Sequence, residues 1–373
     1  MTPERTVTEE GWATIPLGDG TRGTIYFAPG NEYILQDVLL GRHHEVAKEF
    51  RVLLDALSPD DTVVDLGAHL GMFTLAAAAK GCRVIAVEAS PQNVDALRRS
   101  IEANGFTNVT VVQVAISDHI GTVRFSHEGP WGRVTDDAVT ATMEVPARPL
   151  PVVLDELGIA RVDAIKMDIE GSEPRAIRGM EEMLTRPDAP FMVFESNAFT
   201  LLEGGMTPNH LLYALTKLGY RCFEIADPAT LRPVPPDAFQ PKTVTDYFAV
   251  KDDASIPASW TVGPGYSEEE LAAAVAAEAR SWNSDERWSI AGRLCGAPPS
   301  LRSHRQVERS LALLSLDRDH RVARATRWWR DGRGVATLAG VRDELHAAAK
   351  LSVALTERMR DIRAGRAART PAD

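Results

Sequence analysis

The stretch Asp61 to Glu88, DTVVDLGAHLGMFTLAAAAKGCRVIAVE, leaves this chain few folds to choose from. A short apolar run, Thr62 to Val64, enters a turn containing Gly67, Ala68 and Gly71. A helix of small residues follows from Leu75 to Ala79, and a second apolar run, Val84 to Val87, ends in the acid Glu88. Two strand-length runs joined by a helix specify a βαβ unit, whose parallel strands need cover on both faces. Glycine at 67 lets the backbone approach a ligand, and glycine at 71 lets the helix start tight against the sheet. An acid roughly 20 residues on is placed to accept both hydroxyls of a ribose. The unit reads as a nucleoside site, with a purely structural turn as the alternative.

The spacing of the glycines bears on which nucleoside. A dinucleotide site uses G-x-G-x-x-G, whose close-set glycines seat a pyrophosphate on the helix N-terminus. Here the pattern is D-x-G-A-x-x-G, with Asp65 at its mouth. A carboxylate there repels a pyrophosphate and suits the ammonium of a methionine moiety, so S-adenosylmethionine (SAM) fits better than NAD. Net charge of −11 disfavours an electrostatic grip on nucleic acid and directs attention to small-molecule or glycan acceptors. Cys82, Cys222 and Cys295 are odd in number and far apart, as expected of reduced thiols in a cytoplasmic protein. The polar N-terminus predicts no leader, and no apolar run approaches the roughly 18 residues of a membrane span.

Around the βαβ unit the pattern continues. Alternating runs at Trp12 to Pro16 and Gly23 to Phe27 predict a small β flap, and Val46, Phe50, Leu53, Leu54 and Leu57 a helix from His43 onward. Ser90 with Pro91 opens the next helix and Asn104-Gly105 ends it. Further strands are expected at Val109 to Ala115, Asp163 to Ile169, Phe191 to Ser196, Tyr220 to Ile225 and Val244 to Val250. Helices are expected at Leu150 to Leu157, Ser172 to Leu184 and Thr207 to Leu218, and Gly121 to Ala147 reads as an inserted hairpin. Strands alternating with helices predict a mostly parallel, doubly wound α/β sheet. After Ser255 strand-like runs vanish. The expected organisation is a flap and lid helix over 1–58, the α/β domain over 59–252, a linker over 253–265 and an all-helical region over 266–373.

Four separated segments together resemble the FkbM family of SAM-dependent methyltransferases: VVDLGAHLGMFT, AVEASPQNVDALRRSIEANG, VAISDHIG and DAIKMDIEGSEPRAIRGM. The resemblance covers about half the chain. It implies a class I methyltransferase fold, a Rossmann-like seven-stranded sheet with an antiparallel last strand, and methyl transfer usually to a hydroxyl of a sugar or natural product. It also implies a cofactor site of Asp65, Gly67, Ala68, Gly71 and Thr74 at the methionine end, Glu88 on the ribose, and Ser117 and Asp118 beside the adenine. The chain departs from the family at His69, where Asn is usual, and in its helical tail.

The catalytic candidates come from carboxylates gathered at the strand rim. KMDIEGSE brings together Asp168, Glu170 and Glu173, and such clusters are costly unless used in chemistry or paired with a cation. Asp168 or Glu170 is a candidate base for an acceptor hydroxyl; with Glu195 they are candidate ligands for Mg²⁺ or Mn²⁺. Glu173 alternatively serves the dipole of the helix that Ser172 opens. His44 is a second candidate base, or a solvated surface residue. Glu195, Asn197 and Trp131 are candidate acceptor contacts, Trp131 by stacking or by pinning its loop. The tail's apolar stripe from Val335 to Leu355, with Trp328, Trp329 and the arginines before them, predicts either a homodimer or partner-enzyme surface or a cap packed in cis. Two rival functions remain open here: a nicotinamide-dependent oxidoreductase and a non-catalytic nucleoside-binding or scaffold protein.

Overall fold

The computed structural model describes residues 11–18, 20–27, 47–126, 132–135, 143–203, 206, 208–227, 229–234, 244–267 and 270. They fall in two compact units, one within 1–195, 214–233 and 246–264, the other within 196–213, 234–245 and 265–373. The predicted helices past residue 270, the Trp328-Trp329 patch, Cys295, His44 and Trp131 lie outside the described residues.

In the first unit β1 (Trp12–Pro16) and β2 (Arg22–Tyr26) form an antiparallel hairpin. Its alternation turns Ala13, Ile15 and Ile25 onto Leu70, Leu75 and Ala96. α1 (Lys48–Ala56) follows, and then β3 (Thr62–Leu66), α2 (Met72–Ala79), β4 (Arg83–Glu88), α3 (Pro91–Ala103) and β5 (Val109–Gln113) repeat strand and helix. α3 begins as its sequence demands, with Pro91 in the first turn and the Ser90 hydroxyl accepting from the Asn93 amide. Its far end fastens the hairpin. The Ser100 hydroxyl accepts the Tyr26 amide at 2.9 Å, and Asn104 exchanges two hydrogen bonds with the Thr24 backbone.

The inserted segment is larger than a hairpin. β6 (Ala115–Ile116), β7 (Gly121–Ser126), β8 (Arg133–Val134) and β9 (Met143–Arg148) make a separate four-stranded sheet in the order β6-β9-β7-β8, packed around Val123, Phe125 and Val145. α4 (Leu150–Glu156) and β10 (Ala164–Met167) return the chain to the main sheet. The single helix expected from Ser172 to Leu184 is two, α5 (Glu173–Gly179) and α6 (Glu181–Thr185). Gly179 sits so close to β6 that a Cβ there would lie 2.1 Å from the Ser117 carbonyl oxygen, and the helical path breaks at Met180.

β11 (Phe191–Asn197) leads into α7 (Ala198–Glu203) and α8 (Pro208–Lys217); β12 (Arg221–Asp227), β13 (Thr230–Val234), β14 (Val244–Val250) and β15 (Thr261–Val262) complete the strands. The main sheet runs β15-β13-β12-β14-β11-β10-β3-β4-β5. β11, β10, β3, β4 and β5 are mutually parallel, whereas β14 runs antiparallel to β12. The seven strands from β12 to β5, with the last of them in sequence, β14, inserted antiparallel between β12 and β11, have the antiparallel last strand that the resemblance implies. The expectation of seven strands omitted β13 and β15, which extend the β12 edge.

The main core joins α1 and α2 to the sheet through Val52, Leu53, Phe73, Ala76, Val63, Val84, Phe223 and Phe248, all buried. Each such aliphatic or aromatic side chain contributes roughly 1.5–3 kcal/mol by leaving water. β5 departs from expectation: as the last strand it is only half-buried, not covered on both faces. Residues 253–264, read as linker, include a 3₁₀ turn and β15, and the indole of Trp260 donates to Asp55 at 2.8 Å. Among the described residues no helix is long and apolar enough to cross a membrane.

Candidate active site

The carboxyl ends of β3, β4, β10 and β11 open on a cleft of about 570 Å³, a size suited to a small-molecule ligand. Its lining includes Asp65, Gly67, Ala68, His69, Glu88, Lys166, Asp168, Glu170 and Glu195, with Phe50, Phe73, Phe125, Ile116 and Val134 among its apolar walls.

The glycine turn is built for the protein's own backbone. Gly67 lines the cleft with φ +78, and a Cβ there would lie 1.8 Å from the Asp168 carbonyl oxygen, so the turn also packs against the end of β10. At Gly71, φ +96, a Cβ would meet the Leu97 side chain of α3 at 2.4 Å, so this glycine lets α2 pack on α3. Neither Gly71 nor Thr74 lines the cleft. Thr74, fully buried, donates its hydroxyl to Asp65 Oδ2 at 2.6 Å.

Asp65 lines the cleft and is also paired within the protein. It is fully buried, and Oδ1 faces the Lys166 ammonium at 3.3 Å, an ion pair without hydrogen-bond alignment. The cation it meets within the protein is a lysine that the sequence reading overlooked. Lys166 lies on β10 in register with Asp65 on β3, and it also donates to the Gly67 carbonyl at 2.8 Å. Burial opposes its charge, but Asp65 and Asp168 outweigh that and hold its pKa above the ordinary value. The signal was present: one lysine inside the apolar strand AIKM must find a counter-charge.

Glu88 stands at the end of β4 and lines the cleft. Its Oε2 accepts the His69 amide and its Oε1 the Ser90 amide, each at 2.8 Å, and the Asn93 side chain adds a third bond, so the carboxylate is held in orientation. Burial pushes its pKa up against those bonds. His69 reaches Glu88 by adopting φ +51.

Ser117 and Asp118 are not in the cleft lining; Val114, Ala115 and Ile116 are. The Asp118 carboxylate accepts from Arg178 at 3.1 Å and meets His119 Nδ1 at 3.0 Å, and these partners hold its pKa down to about 2. Asp118 thus ties the second sheet's loop to α5.

At the other end of the cleft Asp168, Glu170 and Glu195 present carboxylate oxygens that all lie within 4.8 Å of one another. Glu170 adopts φ +51 in the turn after β10. Burial, then Asp168 and Glu173, push its pKa up to about 8, and burial followed by Asp168 and Glu170 push Glu195 well above the carboxylate range. Glu173, in the first turn of α5, accepts the Ile169 amide on Oε1 at 3.0 Å, and burial raises its pKa to about 7. Glu49 of α1, unnoticed in the sequence, also lines the cleft. Burial and then Asp246 lift it to about 7. Asn197 belongs to the second unit, where its carbonyl accepts from the Thr200 hydroxyl at 3.3 Å.

The chain is 24% identical over 225 residues to the AMB antimetabolite synthetase AmbE of Pseudomonas aeruginosa, a match taking in 49% of this chain and 10% of AmbE. It therefore spans a small part of that relative's length. Among solved structures, precorrin-6y C5,15-methyltransferase from Geobacter metallireducens is similar at 14% identity, over 55% of this chain and 87% of that one, with a TM-score of 0.34. A TehB-like SAM-dependent methyltransferase from Corynebacterium glutamicum is similar at 13% identity, over 60% and 98%, with a TM-score of 0.34. The match that covers the cleft's own residues is to the methyltransferase FkbM domain, from Asp65 through the acidic turn to Cys222. Residues 65–222 of this chain match the methyltransferase FkbM domain.

Proposed function

We propose that this protein is a SAM-dependent O-methyltransferase acting on a hydroxyl of a sugar, glycan or polyketide-type natural product. One observation carries the reading: within an FkbM domain, a single cleft has an oriented acid, Glu88, at one end and carboxylates with raised pKa values at the other. The likeness to part of an antimetabolite synthetase supports a natural-product acceptor.

The residues present fit the cofactor. Glu88 offers two fixed oxygens to a ribose, while Phe125, Val134 and Ile116 supply apolar wall for a base. When bound, SAM supplies a sulfonium methyl group, whose S–CH₃ bond breaks toward sulfur as an O–CH₃ bond forms. The protein's part is positioning and proton removal. The acceptor hydroxyl's proton passes to a carboxylate oxygen of Asp168 or Glu170. A group held at about 8 exchanges protons near neutral pH, where a general base is most effective.

Thermal shift with SAM, S-adenosylhomocysteine and NAD tests the cofactor, because a ligand at a hundred times its dissociation constant stabilises by about 2.7 kcal/mol. SAM and its homocysteine product should raise the melting temperature and NAD should not. Stabilisation by NAD alone would overturn the reading. Labelled methyl transfer to glycoside and polyketide alcohols then tests the acceptor; label found only on amines would refute O-methylation.

A further inference from the structure

Three residues that line the cleft come from outside the matched span 65–222: Ala47, Glu49 and Phe50, all at the start of α1. The matched domain supplies the rest of the wall, and α1 adds a part that precedes it.

That helix is held at both ends. At its first turn the Lys48 ammonium donates to the Ile225 carbonyl of β12 at 2.9 Å and lies 3.6 Å from Asp246 on β14. At its last turn Asp55 accepts from the Trp260 indole at 2.8 Å and from the Ser259 hydroxyl at 3.3 Å. Between them Val52, Leu53 and Leu54 are buried, and the Phe50 ring centre lies 5.4 Å from that of Phe73 on α2. With both neighbours anchored, Glu49 is presented to the cleft on a fixed backbone. Its own amide steadies the carboxylate at a helix start that no side chain caps. One such bond leaves a carboxylate most of its capacity to accept.

The rest of the cleft limits what Glu49 can meet. Among the described residues that line it, Lys166 is the only lysine or arginine, and Asp65 and the Gly67 carbonyl engage it. A phosphate or carboxylate on the acceptor would find no free cation there and would face Glu49, Asp168, Glu170 and Glu195. An uncharged hydroxyl suits Glu49 in either protonation state, and burial followed by Asp246 holds that carboxyl at about 7. Ionised, it accepts from the hydroxyl; protonated, it donates to it. An ammonium is met only by the ionised form. An acceptor with a single hydroxyl would satisfy the turn after β10 and leave half-buried Glu49 to lose water without a partner.

We propose that Glu49 is an acceptor-binding residue, its carboxyl hydrogen-bonded to a second hydroxyl of an uncharged sugar or polyol whose first hydroxyl is presented to Asp168 and Glu170. Resting on the O-methyltransferase reading, this narrows the acceptor to a molecule with at least two hydroxyls and no anionic group within the cleft.

Labelled methyl transfer from SAM by the full-length protein to methyl glycosides, cyclohexane-1,2-diols and cyclohexanol tests this. Label should enter at least one glycoside or diol in preference to cyclohexanol. On that acceptor Glu49→Ala should raise KM about tenfold and leave kcat within about twofold, as loss of a binding hydrogen bond does. Glu49→Gln keeps a donor and an acceptor, and should return KM to within about threefold of the parent. KM for SAM should be the same in all three proteins. Cyclohexanol labelled as readily as the diols, an unchanged acceptor KM in Glu49→Ala, or no rescue by Gln each overturns the proposal. So does a loss of SAM affinity in step with acceptor affinity, which would make Glu49 a structural residue. Thermal shift with S-adenosylhomocysteine on the parent separates the two ideas. Stabilisation without label in any glycoside or diol sinks only the acceptor, and no stabilisation sinks the cofactor reading beneath it.

Discussion

The two ends of the cleft handle buried charge in opposite ways. Near the glycine turn each charge is matched: Asp65 has Thr74 and Lys166, and Glu88 has two backbone amides. Near the acidic turn Asp168, Glu170 and Glu195 crowd together, and Glu173 behind them keeps one oxygen unbonded. A matched buried charge holds structure; an unmatched one stores energy that a proton, cation or substrate can release. The first end holds its charges in place, and on the proposed function the second end would take the acceptor's proton.

The largest test of that contrast is Asp65→Ala. Removing one partner of a buried pair strands Lys166, at a cost of about 3–5 kcal/mol. Chemical unfolding should show the loss, and adding Lys166→Met should recover most of it. A variant with the parent's midpoint would mean that the matched end is not matched at all.

At the unmatched end Glu49→Gln should do the reverse. Glu49 is only partly exposed and faces Asp246 and Asp168, with Lys48 as its neighbouring cation, and its pKa is raised to about 7. A raised carboxyl binds its proton more tightly folded than unfolded, so its contribution is complete below about 4.5 and is lost as pH rises through about 7. Variant and parent should melt together at pH 4, and at pH 8 the variant should be the more stable, on the order of 1 kcal/mol after allowance for partial exposure. Equal melting curves across that range would show that Glu49 carries no stored repulsion.

The smallest effect belongs outside the cleft. Asp118→Asn loses the contacts with His119 and Arg178 on a partly exposed surface, costing less than about 1 kcal/mol near neutrality. Because its carboxyl is held down to about 2, the deficit should persist above pH 4 and fade as pH falls toward 2. SAM affinity should be unchanged, as measured by calorimetry; a large loss would return Asp118 to the binding site.

Residues close in sequence carried most of what could be read without coordinates. The βαβ unit, Ser90 and Pro91 opening α3, Asn104 ending it and Glu88 at the end of β4 follow from local rules of period, capping and strand ends. KMDIEGSE announced its crowd of acids because four of its residues are charged within eight. What those rules miss are meetings across the sheet. Lys166 lies about a hundred positions from Asp65, yet strand register sets them side by side. Glu195 joins Asp168 because β10 and β11 are parallel neighbours, Gly67 is required by the Asp168 carbonyl, and Gly179 by the Ser117 carbonyl. The chain by itself determined which elements form and which residue types stand at the rim, since backbone propensity and hydrophobic period act over a few residues. Only the tertiary structure decided which charges are neutralised, because burial and pairing depend on what the sheet brings within a few ångströms.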